Sequence, residues 1–271
     1  MNIKYGCFGL VPGDEKLIKA AGYDAAEFQV ARIMEPDDFT YGELKKRFLD
    51  TGLIFPVFDN PIPLTEIICA PGFELKVWGE YLKRAGERCS GLGCDKFVFG
   101  NGKTRSLPDE GDILAARGKL DSFIDMLCDI AWQFGITILI EPLGRAFSNL
   151  FNTVEECAEA IKYYGKKNLS LLIDLRHIVA LGLPMSEIVK YKEHVSHVHI
   201  DYPYSTIPER FYPSASDGFD YAPFFAALCE IGYEGVVSAE ANKYDNYAEG
   251  IKAGLPFLKS LVSSAEQSSG R

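Results

Sequence analysis

Four stretches in the second half of the chain decide the fold: ITILIEP at 136–142, LSLLIDL at 169–175, VSHVHID at 195–201 and VVSAEA at 236–241. Each is largely apolar, has the length of a β-strand and ends close to an acidic or imidazole side chain. Runs as apolar as TILI and LLI are typical of strands that are buried on both faces, as in parallel sheets. These stretches therefore predict four parallel strands that each end in a polar side chain.

The first half of the chain repeats this alternation of short apolar runs and amphipathic helical segments. The predicted strands one to four are IKYGCFGL (3–10), AAEFQV (25–30), IFPVFD (54–59) and KFVFG (96–100). Pro56 weakens the third assignment, because proline cannot donate to the strand ladder. Eight strand-then-helix units with short connections predict an α/β fold, an all-parallel sheet that closes into a (β/α)8 barrel. A doubly wound open sheet is the alternative, but the GxGxxG motif expected after its first strand is missing from this sequence.

The length of 271 residues suits one barrel, since such barrels typically contain about 250 residues. We predict a single TIM-barrel domain over residues 1–263 and a flexible tail over 264–271. Within the domain, Gly22 is expected to end the first helix, and Thr153 with Glu156 forms a capping-box pattern before another.

The formal net charge of −10 argues against nucleic-acid binding and against docking on anionic membranes, since each requires a basic surface. A small sugar or polyol substrate is compatible with this charge. The seven cysteines include no CxxC pair, which favours reduced thiols and a cytoplasmic location. Aromatic residues on the predicted helices suggest that the chain forms a homo-oligomer.

Polar residues at the strand ends predict the position of the active site. In such barrels the active site lies at the carboxyl ends of the strands, and strands five to eight place four residues there: Glu141, Asp174, His199 and Glu240. The three carboxylates would repel one another without a cation, and buried charges are costly unless they are paired or bind a metal. We therefore predict a divalent metal site, with Mn²⁺ as the expected ion and Mg²⁺, Co²⁺, Fe²⁺ or Zn²⁺ as alternatives. Taken singly, each acid could instead cap a helix or pair with a loop residue.

Four further residues are candidates for substrate binding. His177 follows Asp174 by three residues, where the chain turns over the barrel mouth, and could donate to a substrate hydroxyl. Arg145 and Arg210 follow strands five and seven, and surface solvation is the alternative for each. Glu27 lies near the end of strand two and is a further buried acid.

Several segments together resemble one known family. They are AAGYDAAEFQ in the second unit, IEPLGR in the fifth, DLRH in the sixth, HVHID in the seventh and DGFDYAPFFAALCEIGYEGVVSAEA across the last two. The chain resembles the xylose-isomerase-like TIM barrel superfamily of sugar phosphate isomerases and epimerases, which includes ketose 3-epimerases, hydroxypyruvate isomerase, inosose dehydratase and AP endonucleases. The resemblance spans nearly the whole chain.

This resemblance implies an enzyme whose metal ligands are Glu141, Asp174, His199 and Glu240. It also implies that Glu141 and Glu240 are catalytic and exchange a carbon-bound proton next to a carbonyl, through an enediolate. His177 looks like the histidine of the family that hydrogen-bonds the substrate. The resemblance thus implies a metal-dependent sugar isomerase or epimerase.

The sequence departs from the ketose epimerases after strands five and seven. IEPLGRAF carries Gly144 and Phe147, where those enzymes resemble IEP-x-NRFE with a second substrate-holding glutamate, and DYPYSTIPER replaces an Asn-Arg pair. A metal-dependent lyase on the same site, a keto-polyol dehydratase or a C-glycoside deglycosidase, is therefore the alternative. A DNA-repair nuclease is a third hypothesis, which the lack of histidines in strands one to four disfavours.

Overall fold

Eight parallel strands form one closed barrel in the computed structural model, which describes residues 2–205, 209–242 and 247–268. Each strand pairs with its sequence neighbours, and the first strand closes the barrel by pairing with the last, where Lys4 lies opposite Val236. The strands are β1 Lys4–Phe8, β2 Ala25–Gln29, β3 Val57–Asp59, β4 Lys96–Phe99, β5 Thr137–Ile140, β6 Leu169–Asp174, β7 Val195–Ile200 and β8 Val236–Ala239. The predicted (β/α)8 barrel is thus confirmed.

The helices alternate with the strands, and their apolar faces supply the buried layer outside the sheet. In the described residues they are α1 Asp14–Ala21, α2 Val30–Met34, α3 Asp38–Asp50, α4 Leu75–Ser90, α5 Gly102–Arg105, α6 Ile113–Gln133, α7 Val154–Tyr164, α8 Leu175–Ala180, α9 Ser186–Lys190, α10 Ala222–Glu230 and α11 Tyr247–Ser268. Across the described ranges, no helix combines the length and the apolar character that a membrane span requires.

Helix ends follow the capping signals of the sequence. Gly22 ends α1 in the left-handed conformation, with φ of 93°, which glycine adopts without a steric penalty. At the start of α7 the Thr153 hydroxyl accepts a hydrogen bond from the Glu156 backbone N–H at 3.0 Å. The Glu156 carboxylate accepts from the backbone N–H of Asn152, at 2.7 Å, rather than from that of Thr153.

Alternate residues of neighbouring strands fill the barrel interior. Four of them, one from each of β3 to β6, are buried and pack together: Val57, Val98, Leu139 and Leu172. Because side chains alternate across a strand, residues two positions later point the same way and lie nearer the carboxyl end. Those residues are Asp59, Gly100, Glu141 and Asp174. The strand period thus carries two acids of the predicted metal site to the mouth of the barrel.

A β-bulge between β6 and β7 positions the histidines of β7. The register shifts after Leu171, which pairs with Val195, so that Leu172 lies opposite His197 and Asp174 opposite His199. Without this one-residue shift the side chains of β7 would exchange faces. The bulge therefore directs His197 and His199 into the barrel beside Asp174.

Three elements differ from the sequence-based expectations. The strand β3 has only three residues and begins directly after Pro56, in line with the proline signal. The segment after β2 forms two helices, α2 and α3, instead of one. The last helix continues to Ser268, so residues 264–268, which we expected in the flexible tail, are helical, because Ala265 and its apolar neighbours pack on the core. The remainder of the expected tail lies outside the described residues.

Candidate active site

Four potential metal ligands meet at the carboxyl end of the barrel. Ligand atoms of Glu141, Asp174, His199 and Glu240 all lie within 4.8 Å of one another. Glu141 and Glu240 directly follow β5 and β8, Asp174 is the last residue of β6, and His199 is the penultimate residue of β7. The structure thus brings together the residues that the strand-end pattern predicted, from four consecutive strands.

The unpaired atoms of this group suit a divalent cation. Glu141 Oε1 and His199 Nδ1 are buried and have no hydrogen-bond partner among the described residues. Glu240 Oε2 lies 2.8 Å from His199 Nδ1, although the two do not form a hydrogen bond of good geometry. Buried polar atoms that converge without pairing are expected where an ion completes their coordination. Three carboxylates and one imidazole nitrogen match the donor preferences of Mn²⁺ and related cations.

A second polar layer lies below His199 and orients its ring. Glu27 is fully buried and its carboxylate oxygens lie 2.8 Å from His197 Nε2 and 2.9 Å from His199 Nε2. Ser238 donates a further hydrogen bond to Glu27. Because Nε2 of His199 faces Glu27, its Nδ1 remains directed at the site, the arrangement by which carboxylates fix metal-binding histidines. Glu27, His197 and His199 also form a compact group of potential ligands, in which the Glu27 carboxylate lies within ion-pair distance of both rings.

The prediction of Glu27 as a substrate-binding residue therefore does not match its position. Glu27 lies two residues before the end of β2, beneath the layer of the mouth, and it does not line the cavity above. Its role in the structure is to support His199.

Arg210 balances the negative charge of the site. Its guanidinium contacts Asp174 Oδ2 at 2.5 Å, Glu240 Oε2 at 2.7 Å and Asp201 Oδ2 at 3.0 Å. Arg176 donates to the same oxygen of Asp201 at 2.7 Å. Arg210 also lines the cavity, and its role in substrate binding stays a prediction.

His177 lies on α8 directly above the metal-ligand group. Its Nε2 is 3.8 Å from Glu141 Oε1 and 3.9 Å from Asp174 Oδ2. Its Nδ1 accepts a hydrogen bond from the backbone N–H of Gly144 at 3.4 Å, so the neutral ring carries its proton on Nε2, the side that faces the acids. Burial lowers the pKa of His177 to about 4. His177 is therefore a neutral donor at the site, as expected for a group that binds a substrate oxygen.

The two glutamates differ in their electrostatic surroundings. Burial, together with the charges of Asp174 and Glu240, raises the pKa of Glu141 well above its ordinary value. Burial acts in the same direction on Glu240, but the positive charges of Arg210 and His199 outweigh it and lower the pKa of that carboxyl. The site thus contains two carboxyl groups whose pKa values are shifted in opposite directions, a feature of acid–base chemistry in enzymes.

A cavity of about 400 Å³ opens above these residues. Its wall contains Glu141, His177, Arg210 and Glu240, with the apolar side chain of Phe147 on one side. The rings of Phe147 and His177 meet edge to face, with centroids 5.0 Å apart. The position of the expected epimerase glutamate is thus occupied by an aromatic wall.

Arg145 does not contribute to this cavity, contrary to the prediction. Its side chain is 72% exposed and its guanidinium lies 3.6 Å from Glu156 at the start of α7. The loop from Gly144 to Phe147 turns back on itself through a backbone hydrogen bond of 2.8 Å, which directs Arg145 outward and Phe147 inward.

Sequence reasoning missed two acids that the same strand-end pattern contained. Asp59 ends β3 in IFPVFD and Asp201 directly follows β7 in HVHID, and both are buried. Asp201 pairs with two arginines, as described above. Asp59 lines the cavity, and burial raises the pKa of its carboxyl well above the ordinary value.

Comparison with known proteins agrees with this geometry. The chain matches the xylose isomerase-like TIM barrel family over residues 16–261. It belongs to this family. The resemblance inferred from the sequence segments is therefore confirmed.

Relatives within and around this family include isomerases and epimerases. The putative hydroxypyruvate isomerase of Mus musculus is 24% identical over 257 residues, which cover 90% of this chain and 89% of the mouse protein. The ketose 3-epimerase of Arthrobacter globiformis is 24% identical over 250 residues, which cover 88% of this chain and 83% of that protein.

Solved structures of epimerases share the fold across nearly the whole chain. An L-ribulose 3-epimerase superimposes with a TM-score of 0.81 at 21% identity and covers 99% of this chain and 97% of its own. The 3-keto-D-glucoside 4-epimerase of E. coli superimposes with a TM-score of 0.80 at 19% identity, over 95% of this chain and 99% of its own. At these identities the structural likeness establishes the barrel alone.

Proposed function

We propose that the protein is a divalent-metal-dependent isomerase or epimerase that acts on a sugar or sugar-like polyol. The observation that carries this proposal is the convergence of Glu141, Asp174, His199 and Glu240 within 4.8 Å, under a cavity that also contains His177. The relatives that bear the names of isomerases and epimerases support the same reaction class.

A cation bound by these four residues, Mn²⁺ in our proposal, would supply Lewis acidity beside the carbonyl of the substrate. Arg210 keeps Asp174 and Glu240 ionised through contacts of 2.5 and 2.7 Å. His177 donates from Nε2 to a substrate oxygen and holds the reacting carbons over the glutamates.

The two glutamates then exchange a proton with carbon. Glu240, ionised by its pairing with Arg210, takes the proton next to the carbonyl, and the electrons of the C–H bond pass through a new C=C bond onto the carbonyl oxygen. Glu141, the carboxyl of higher proton affinity, returns a proton to carbon from the other side. Return to the same carbon from the opposite face inverts its configuration. Return to the former carbonyl carbon moves the carbonyl, because the hydroxyl proton of the first carbon then passes to the former carbonyl oxygen.

A lyase is the second candidate, and the aromatic wall favours it. Phe147 stands against His177 at 5.0 Å, where the ketose epimerases would place a substrate-holding glutamate. Without a glutamate that holds the substrate at this position, the enolate formed by loss of the same proton can expel a β-hydroxyl or an aglycone. The products separate the two reactions, because a lyase yields an enone chromophore or a released aglycone and an isomerase yields neither.

The experiment is a panel of ketoses, 3-keto-glycosides and cyclic keto-polyols, assayed with Mn²⁺ and after treatment with EDTA. We expect turnover with Mn²⁺, its loss after metal removal, and exchange of a substrate C–H for deuterium in D₂O. Turnover that survives thorough metal removal would contradict the proposal. Deuterium exchange without a rearranged product, accompanied by enone absorbance, would assign the lyase instead.

A further inference from the structure

The buried carboxyl group of Asp59 has no use in the mechanism above. Val57 points into the barrel interior, so Asp59, two residues later on β3, points the same way at the mouth. Only 4% of Asp59 is exposed, and its Oδ1 atom has no hydrogen-bond partner among the described residues. A buried polar atom without a partner is costly and rare in folded proteins. Its position at the mouth indicates that a bound ligand supplies the partner.

Asp59 lies where two cavities meet. The first lobe is the cavity of about 400 Å³ that contains Glu141 and His177. A second lobe of about 340 Å³ lies on the side of β1 and β2. Six residues line both lobes and form their shared wall: Asp59, Asn60, Gly100, Asn101, Arg210 and Glu240. The cleft therefore continues from the metal-ligand group across Asp59 to the other side of the barrel mouth.

The lining of the second lobe suits an uncharged polyhydroxylated group. Phe8, Leu10 and Leu64 provide apolar surface, and Gln29 provides an amide. Among the described residues, Arg32 is the one cation of this lobe outside the shared wall, and Glu35 pairs with it at 3.1 Å. This paired charge disfavours a phosphate group. An apolar wall with scattered hydrogen-bonding groups is the usual surface for a sugar ring, whose C–H faces pack on it while its hydroxyl groups bind amides and carboxylates.

We propose that the second lobe binds the part of the substrate remote from the reacting carbons, a second sugar ring or a comparable polyol substituent. Asp59 accepts a hydrogen bond from a hydroxyl group where the two parts join. The substrate class is then a substituted sugar, such as a glycoside, rather than a free monosaccharide. This inference rests on the proposed function, because it assigns the first lobe to the reacting sugar.

The test compares the binding of D-fructose with that of three disaccharides in which a second hexose is attached to O3, O4 or O6 of fructose: turanose, lactulose and isomaltulose. Calorimetric titration of the Mn²⁺-loaded protein gives the ratio of dissociation constants, that is, the preference for the substituted sugar. We expect at least one disaccharide to bind about 10-fold more tightly than D-fructose. Leu64→Trp, which fills the second lobe from a half-exposed loop position, should lower this preference by about 5-fold or more.

Three further variants make the result specific. Leu17→Trp places the same side chain on an exposed position of α1 that lines neither lobe, and should leave the preference unchanged. Asp59→Ala should lower the preference, and Asp59→Asn, whose amide oxygen still accepts a hydrogen bond, should restore part of it.

Equal dissociation constants for D-fructose and all three disaccharides would contradict the proposed role of the second lobe while leaving the proposed function intact. A preference that Leu64→Trp does not change would also overturn it. Failure of all four sugars to bind would reject the inference together with the sugar class proposed above. A disaccharide preference in a protein that shows no metal-dependent turnover would uphold the lobe and reject only the reaction.

Discussion

The two halves of the barrel mouth differ in the number of charged side chains that they carry and in how much of their space side chains fill. The late half, from β5 to β8, carries the three carboxylates, the imidazole and the arginine contacts described above. The early half presents Gln29, Asp59 and Gly100 at the corresponding depth, and the second lobe opens there. The late half therefore carries the groups that we propose for proton transfer and metal binding, whereas the early half leaves the space of the second lobe open.

This division teaches that reaction and substrate can be specified by separate parts of one fold. The charged groups of the late half are fixed by mutual contacts and by the bulge at Leu171. The wall of the early half is formed by loop residues such as Asn60 and Leu64, which can differ without disturbing the metal ligands. Changes in the two halves should consequently have effects of different kind and size.

The largest expected effect is that of Glu141→Gln in the late half. The variant loses a carboxylate that we propose to be both a metal ligand and a proton carrier, and we expect kcat to fall by about 1,000-fold or more. Steady-state kinetics with the best substrate of the panel measure this loss. Asp59→Asn makes the matched change in the early half and should cost about 10-fold or less, the value of one hydrogen bond. Equal losses of kcat in the two variants would contradict the proposed division of roles between the two halves.

The metal-ligand group could be predicted from the sequence because each member sits at a strand end. Glu141, Asp174, His199 and Glu240 follow apolar runs whose period and direction are legible, and the barrel rule then places them at one face. Asp59 obeys the same rule and ends the predicted strand three, so the pattern contained this residue as well, although its strand is short and follows Pro56.

The remaining site residues depend on tertiary structure that sequence patterns do not encode. Glu27 lies two residues before its strand ends, and that depth is decided by where β2 stops pairing with β3. Arg145 is directed outward by the turn of its loop and by Glu156. Arg210 lies nine residues beyond Asp201, and only the path of the loop returns it to the acids.

The next prediction concerns the stability of the folded protein in acid and tests the environment of His177 in the late half. The pKa of His177 lies at about 4 in the folded protein, below the ordinary 6.5, so the unfolded chain binds more protons between these values. The stability contributed by the neutral ring is fully present above pH 6.5 and is lost as the pH falls toward 4. Between pH 7 and pH 4, this protein should lose about 3 kcal/mol more unfolding free energy than His177→Asn. Urea denaturation at each pH measures the difference.

The control for this pH effect is His194→Asn, which removes a partly buried histidine at the opposite end of the barrel. Any loss of packing in His177→Asn shifts its stability at all pH values alike, so the pH dependence remains interpretable. Parallel pH profiles of His177→Asn and the unaltered protein would contradict a buried neutral histidine above the site.

Glu27→Gln tests the support beneath His199 and should have a smaller effect. The amide still reaches the histidines, but its neutral oxygen attracts the proton of His199 Nε2 more weakly than a carboxylate does, so the ring is less firmly oriented. We expect Mn²⁺ affinity to fall by about 10- to 100-fold, as measured by competition with a chelator. Glu43→Gln, on the exposed face of α3, should leave the affinity unchanged. An unchanged affinity in Glu27→Gln would mean that the second polar layer serves stability alone.

The smallest effect tests whether the open space of the early half is required by the late half. A Cβ atom at Gly100 would collide with the Glu141 carboxylate, so the glycine directly after β4 leaves room for the proposed catalytic group directly after β5. Gly100→Ala should displace that carboxylate and lower kcat by about 10-fold, with little change in the melting temperature. Gly118→Ala is the matched control, because a Cβ there meets no atom within 4 Å and alanine favours its helix. Full activity of Gly100→Ala would mean that the Glu141 carboxylate can work from another position. The two halves would then depend on each other less than their geometry indicates.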